Sequence, residues 1–201
     1  MMRRLMGLLL AASATAGAQV AEEGRTTVMP QPDFNGRPTS TYFTLGVANP
    51  TGVLKAVGKT GYQLGLSIQR SFGPQHFIGW RLDLPFAAGA ESTDATTGWT
   101  YFSPGLGVVV SGLRERSYVL PYAFASLTYN RVGFFDLDTG DEISDTGMGQ
   151  AFGVGLELPI SKRHRIGAEL RTVGADLDGF NAKFTSISIA FISGGIRPVA
   201  R

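Results

Sequence analysis

The chain has no cysteine at all, and only two histidines and two tryptophans, in 201 residues. Without cysteine there can be no disulfide, no thiolate-ligated zinc or iron–sulfur cluster, and no thiol nucleophile. The two histidines, His76 and His164, lie far apart in sequence. Ser161 near His164 is the one hydroxyl–imidazole pairing, and it has no orienting acid or oxyanion site beside it, so an enzyme is not expected. No stretch offers the ~20 consecutive apolar residues of a membrane-spanning helix. No glycine-rich phosphate loop, metal-spaced histidine pair or basic–aromatic nucleic-acid surface is present, and neither cofactor, resident metal nor nucleic-acid partner is expected.

The charge is also nearly absent as a net quantity. The chain carries 18 basic and 16 acidic residues. Arg3 and Arg4, the apolar run 5–14 and the small residues Ala16-Gly17-Ala18 form the layout of an export signal, expected to be removed after residue 18. Loss of the two arginines leaves the rest formally neutral, so the basic isoelectric point carries no message about polyanions. Residues 19–40 are polar, proline-containing and aperiodic, and read as a flexible leader. Residues 193–201 read as a short C-terminal tail.

What is abundant is alternation. In 148–160 the residues Met148, Gln150, Phe152, Val154, Leu156, Leu158 and Ile160 share one face. Gly149, Ala151, Gly153, Gly155 and Glu157 share the other. A strand sends successive side chains to opposite faces. A sheet with one apolar face and one tiny or charged face, repeated in strand after strand, describes a barrel whose greasy side is outside. Eight strands are predicted, over 41–48, 60–72, 76–86, 98–111, 117–130, 147–160, 165–173 and 181–192. Short connections (72–76, 112–116, 161–164) alternate with longer ones (49–59, 87–97, 131–146, 174–180). The fold class is therefore all-β: an eight-stranded antiparallel up-and-down transmembrane barrel over 41–192.

Faces are assigned by bulk. Tyr62, Leu64, Leu66 and Ile68 oppose Gln63, Gly65, Ser67 and Gln69, and Ile78, Trp80, Leu82, Leu84 and Phe86 oppose Gly79, Arg81 and Asp83. Ile187, Ile189 and Phe191 oppose Ser186, Ser188 and Ala190. By the same rule Tyr118, Leu120, Tyr122 and Phe124 are expected outside, with Ala123 and Ala125 inside. Trp99 and Tyr101 share a phase with Ser103, Gly105 and Gly107, and are placed at the barrel mouth above the lipid. Pro104, in mid-strand, is expected to mark a bulge.

Two groups of residues are candidates for function. Arg81, Asp83, Glu157, Glu169 and Arg171 all fall on the inward face, because an arginine facing lipid at mid-membrane costs roughly 2–4 kcal/mol. In a narrow lumen they must pair, as a charge network that fixes the barrel; a gated ion path is the alternative. Asp136, Asp138, Asp141, Glu142 and Asp145 form an acidic outer loop. Its Asp-x-Asp start is that of a calcium loop, but Gly140 takes a ligand position and Gly147 stands where the terminal glutamate belongs, so a solvated hairpin is the reading. The remaining long-loop acids, Glu91, Asp94, Asp176 and Asp178, add to this side. Arg70, Arg114, Arg116, Lys162, Arg163 and Arg165 cluster at the short turns.

On the signal peptide, strand number, inverted patterning and loop alternation, residues 41–192 resemble the small eight-stranded bacterial outer-membrane barrels of the OmpA/OmpX type. Members of this group end in an aromatic-rich strand that the barrel-assembly machinery recognises. Here Phe184-Thr-Ser-Ile-Ser-Ile-Ala-Phe191 keeps the final aromatic, with Ile189 and Ser186 where an aromatic and a glycine are typical. The resemblance implies an outer-membrane location, outer-membrane lipid and the assembly machinery as partners, a monomer, and a structural or surface-interaction role. A small-solute channel and a soluble periplasmic lipocalin-like ligand carrier are the alternatives.

Overall fold

A computed structural model describes residues 39–56, 58–72, 78–91, 96–112, 119–161, 163–177 and 180–194. The proposed export signal, most of the leader, most of the tail, His76, Asp94, Arg114, Glu115, Arg116, Tyr118, Lys162 and Asp178 lie outside them. The described chain contains strands β1 (Thr39–Gly52), β2 (Gly61–Phe72), β3 (Ile78–Ala90), β4 (Thr97–Phe102), β5 (Gly105–Ser111), β6 (Leu120–Asp136), β7 (Glu142–Pro159), β8 (His164–Leu177) and β9 (Phe180–Ser193). One 3-10 turn, Val53–Ala56, follows β1. All pairings are antiparallel; apart from β4 and β5, which do not pair with each other, consecutive strands are partners, and β1 pairs with β9, so the sheet closes on itself.

The barrel has eight staves, because β4 and β5 together form one. Both pair with β3 on one side and β6 on the other. The break between them falls at Ser103-Pro104, where the proline has no N–H to give the ladder. No bulge forms there, contrary to expectation. Phe102 faces Phe86 and Arg131, and four residues on Leu106 faces Leu82 and Leu127, so no residue is inserted and the register runs straight through. The Ser103 N–H reaches the Pro85 carbonyl at 3.2 Å and the Tyr129 N–H reaches the Pro104 carbonyl at 2.9 Å. A single missing donor interrupts the ladder without shifting it.

Registers also fix the tilt. Following hydrogen-bonded partners from Thr51 through Lys183, Gly174, Gln150, Leu127, Leu106, Leu82 and Ile68 returns to β1 at Thr41, ten residues away. Ten residues of about 3.3 Å against eight spacings of about 4.8 Å give a strand tilt of roughly 40°.

The longer connections are mostly strand. The hairpin of β6 and β7 stays in register up to Phe135↔Glu142, so only Leu137–Asp141 turns, not the whole of 131–146. Likewise β8 and β9 remain paired up to Leu177↔Phe180. Over 142–147 of β7 no residue is buried, and hydrophobic alternation fades there while backbone pairing continues.

Outward-facing residues form the apolar belt: Phe152, Val154, Leu156 and Leu158 on β7 are all about half exposed. The inward residues are buried. In a soluble ligand-carrying barrel the two would be reversed.

A candidate functional site in the barrel interior

Four of the five inward charges meet in one ring. Arg81 Nε lies 2.8 Å from Asp83 Oδ1, and Arg81 Nη2 lies 2.7 Å from Glu169 Oε2. Arg171 Nη2 lies 2.7 Å from Asp83 Oδ1 and 3.3 Å from Glu169 Oε1. Alternation on β3 and β8 aims all four side chains at the axis. These two staves are four apart in either direction around the barrel, so the ring is a strut across the full diameter.

Glu157 stands apart from this ring. Its carboxylate is held by Arg165, at the start of β8, and by the Tyr42 hydroxyl, which donates to Glu157 Oε1 at 2.6 Å. Arg165 also donates to Ser40 Oγ at 2.5 Å. Sequence reasoning assigns Arg165 to the basic turn edge. Its phase, two residues before Gly167 and four before Glu169, is the signal that it points inward. Ser40 belongs to β1, which begins two residues earlier than expected.

Neutral groups complete the network. Ser67 Oγ donates to Asp83 Oδ1 at 2.6 Å, and the Tyr122 hydroxyl donates to Glu169 Oε2 at 2.8 Å. The guanidinium of Arg81 packs over the rings of Phe124 at 4.1 Å and Tyr42 at 5.1 Å. That face-on contact is favourable for a desolvated cation, worth about 2 kcal/mol. It matters because Arg81 Nη1 has no conventional acceptor.

Tyr122 and Phe124 therefore lie inside the barrel, and the outward assignment made for them is wrong. Leu120 is buried with them, while Ala123 on the same strand faces out. The reason lies across the hairpin. Tyr122 is the cross-strand partner of Gly155 and Phe124 of Gly153. A Cβ on either glycine would overlap the facing ring. The glycine face of β7 makes the room that the aromatic face of β6 fills.

The mouth at the long-hairpin end is closed by a second layer. Trp99 and Tyr101 are fully inward, not above the lipid, and Tyr101 stacks on Phe184 at 4.2 Å with Trp99 against the same ring at 5.3 Å. Leu54 of the 3-10 turn, Val132 and Leu177 pack into this cluster. Its polar edges are satisfied: Trp99 Nε1 donates to the Lys59 carbonyl at 3.0 Å, and the Tyr101 hydroxyl donates to Asn130 Oδ1 at 2.6 Å. The depression bounded by Pro50, Leu54, Gly58, Trp99, Val132, Phe134 and Phe184 has no room for a water molecule.

The acidic loop is spent on its own turn. Asp136 Oδ1 accepts the backbone N–H of Asp138 at 2.8 Å, and Gly140, at φ 76°, returns its N–H to the Asp136 carbonyl. Glu142 pairs with Arg131 at 3.1 Å on the exposed surface, and Asp145 accepts the N–H of Thr146. Asp141 donates its own N–H to the Thr139 hydroxyl at 3.3 Å. Among the described residues no three acidic or imidazole groups converge on a point where a cation would sit. Ser161 Oγ and His164 Nδ1 are 3.2 Å apart in an exposed turn, where the same oxygen also accepts the His164 N–H.

No protein-family model matches the chain, and no curated protein matches it in sequence. Solved structures do match it in shape. Neisserial surface protein A superposes with a TM-score of 0.63 at 15% identity, over 78% of this chain and 96% of that one. The attachment invasion locus protein Ail of Yersinia pestis gives 0.50 at 15% identity, over 79% and 99%. A major outer-membrane protein of Thermus thermophilus gives 0.50 at 14%, over 77% and 98%. The chain has the fold of the small eight-stranded outer-membrane barrels.

Proposed function

We propose that the protein is an outer-membrane barrel with a plugged lumen that acts as a structural or surface-interaction protein rather than as a pore or an enzyme. The observation that carries this reading is the filled interior. Three arginines and three carboxylates (Arg81, Arg165, Arg171, Asp83, Glu157 and Glu169) are buried in pairs, and an aromatic layer shuts the mouth above them. Among the described residues the buried charges balance, leaving no surplus buried charge to select an ion. The external belt supports membrane residence, since rows of half-exposed leucine, isoleucine and phenylalanine on adjacent strands would aggregate in water. One structural neighbour is named a surface protein and another an attachment invasion locus protein, which agrees with a role for the projecting β6–β7 hairpin. The leader is read as exported, the last strand as the segment offered to the assembly machinery, and the barrel as a monomer in outer-membrane lipid.

The protein is expected to fractionate with outer membranes and to migrate faster on unheated than on heated gels. Recovery as a detergent-free soluble monomer after osmotic shock would refute membrane residence. In planar bilayers it is expected to give no discrete conductance steps, whereas reproducible steps would establish the channel reading.

Orientation follows from the short turns, which outer-membrane barrels keep in the periplasm. The β6–β7 tip is then outside, and Ser161 in the periplasm. In intact cells a cysteine at Thr139 is expected to react with an impermeant maleimide and one at Ser161 to stay unlabelled. The reverse pattern would invert the topology.

A further inference from the structure

The apolar belt is not the same height all round. On β3 five successive outward positions, Ile78, Trp80, Leu82, Leu84 and Phe86, are all apolar. On β9 the equivalent five run Ser193, Phe191, Ile189, Ile187, Thr185, so only the middle three are apolar. With the climb set by the registers, Thr185 stands level with Phe86, and Ser193 level with Ile78, to within about 1 Å.

The flanking strands repeat this pattern. On β8 the three apolar positions are closed off by His164 below and Thr172 above; on β1 they are closed off by Thr41 and Asn49. Three contiguous staves thus have a belt of roughly 10 Å between outermost apolar side chains, against roughly 20 Å on β3, taking 3.3 Å per residue at ~40° tilt.

We propose that the bilayer is thinned where it meets the β8–β9–β1 wall, making this face a site for lipid of short hydrophobic span. The inference rests on membrane residence and deepens it. A wall with too short a belt has three remedies: its polar side chains reach out of the lipid, a second copy covers it, or the lipid shortens. Threonine, serine and asparagine are too short to reach; only long side chains such as Lys183, higher on β9, can do so. Thr172 and Thr185 satisfy each other across the strands at 3.3 Å, and Asn49 accepts from Thr60, which ties these groups to the wall instead of the headgroups. The wall offers no free strand edge to a peptide, because β1 and β9 are paired from Thr41↔Ser193 to Gly52↔Ala182. The three middle rows are continuous with the apolar rows of the neighbouring staves, Leu64 and Leu66 on β2 and Val154 and Leu156 on β7, so lipid is the occupant assigned and a covering second copy is left to the test.

The chain lacks cysteine, so single nitroxide labels at Thr185→Cys and Phe86→Cys report unambiguous depths. Leu84→Cys replaces the second site if Phe86→Cys loses its heat-dependent mobility. In dioleoyl-phosphatidylcholine vesicles, oxygen and nickel-chelate accessibilities are expected to place the Thr185 label at least roughly 5 Å shallower than the Phe86 label, the height of one outward row. In dilauroyl vesicles that difference is expected to vanish as the whole bilayer thins. Equal depths in dioleoyl lipid would overturn the proposal while leaving membrane residence intact; two water-exposed labels would overturn both. Oxidative dimerisation through Ile189→Cys at low protein density would also overturn it, since a second copy would then be covering the wall.

Discussion

Replacing Arg81 by alanine is expected to lower the unfolding free energy by about 3–5 kcal/mol, the usual cost of removing one partner from a buried ion cluster. The substitution strands Asp83 and Glu169 with Arg171 as their only shared cation, in a lumen where neither carboxylate meets water. It also empties the space between Tyr42, Tyr122 and Phe124. Urea unfolding in detergent micelles, followed by tryptophan emission, measures the loss. A loss below about 1 kcal/mol would be that of a solvent-exposed pair and would contradict the buried strut. The double variant Arg81→Met/Glu169→Gln leaves the neutral pair Asp83–Arg171 and fills most of the void. It is expected to recover at least half of the loss, because replacing a whole buried pair by groups of similar volume is commonly close to neutral.

This asymmetry between halving and replacing the network says what the charges do. Arg81–Glu169 and Asp83–Arg171 join staves that no backbone ladder connects, and they do so across the axis. Ladder hydrogen bonds hold each strand to its neighbours but leave the cross-section free to flatten. A diametric ion ring, with Tyr42 linking it to the Glu157–Arg165 pair, opposes flattening and fills the lumen at the same time. The aromatic layer around Trp99 does the same at the mouth.

The barrel was legible because lipid imposes one rule on every stave. Any strand crossing the bilayer must be apolar outside, and 148–160 or 181–192 announce this in simple alternation. The eight staves and the inward phase of Arg81, Asp83, Glu157, Glu169 and Arg171 follow from that rule alone. The interior was less legible, since inside a narrow barrel the rule is volume, and volume is shared between strands. Bulk placed Tyr122 and Phe124 outside, yet Ser126, Thr128 and Asn130 continue their phase inward, while Leu127 and Tyr129 continue the opposite phase outward. The apparent emptiness of the β7 glycines was the complementary clue. Partner choice was illegible: nothing in one strand tells Glu157 to take Arg165 and Tyr42 instead of Arg81. That depends on how far the registers climb.

Placing a valine at Gly155 is expected to cost about 3 kcal/mol. A Cβ there would enter the ring and hydroxyl of Tyr122, which has no free direction to move. Overpacking a filled core costs about 1–3 kcal/mol. Displacing the Tyr122 hydroxyl also removes its hydrogen bond to Glu169, and a bond to a charged group contributes about 1.5–3 kcal/mol. The two terms share one cause, so they separate in a double-mutant cycle. In a Tyr122→Ala background the void accepts the new side chain, and Gly155→Val is expected to cost under about 1 kcal/mol, giving a coupling near 2 kcal/mol. Gly174 provides the contrast, because a Cβ there meets nothing within 4 Å. Gly174→Ala is expected to change stability by no more than about 0.5 kcal/mol. Additive behaviour of Gly155→Val and Tyr122→Ala would mean that the ring does not lie over the glycine, and that the lumen is filled in some other way.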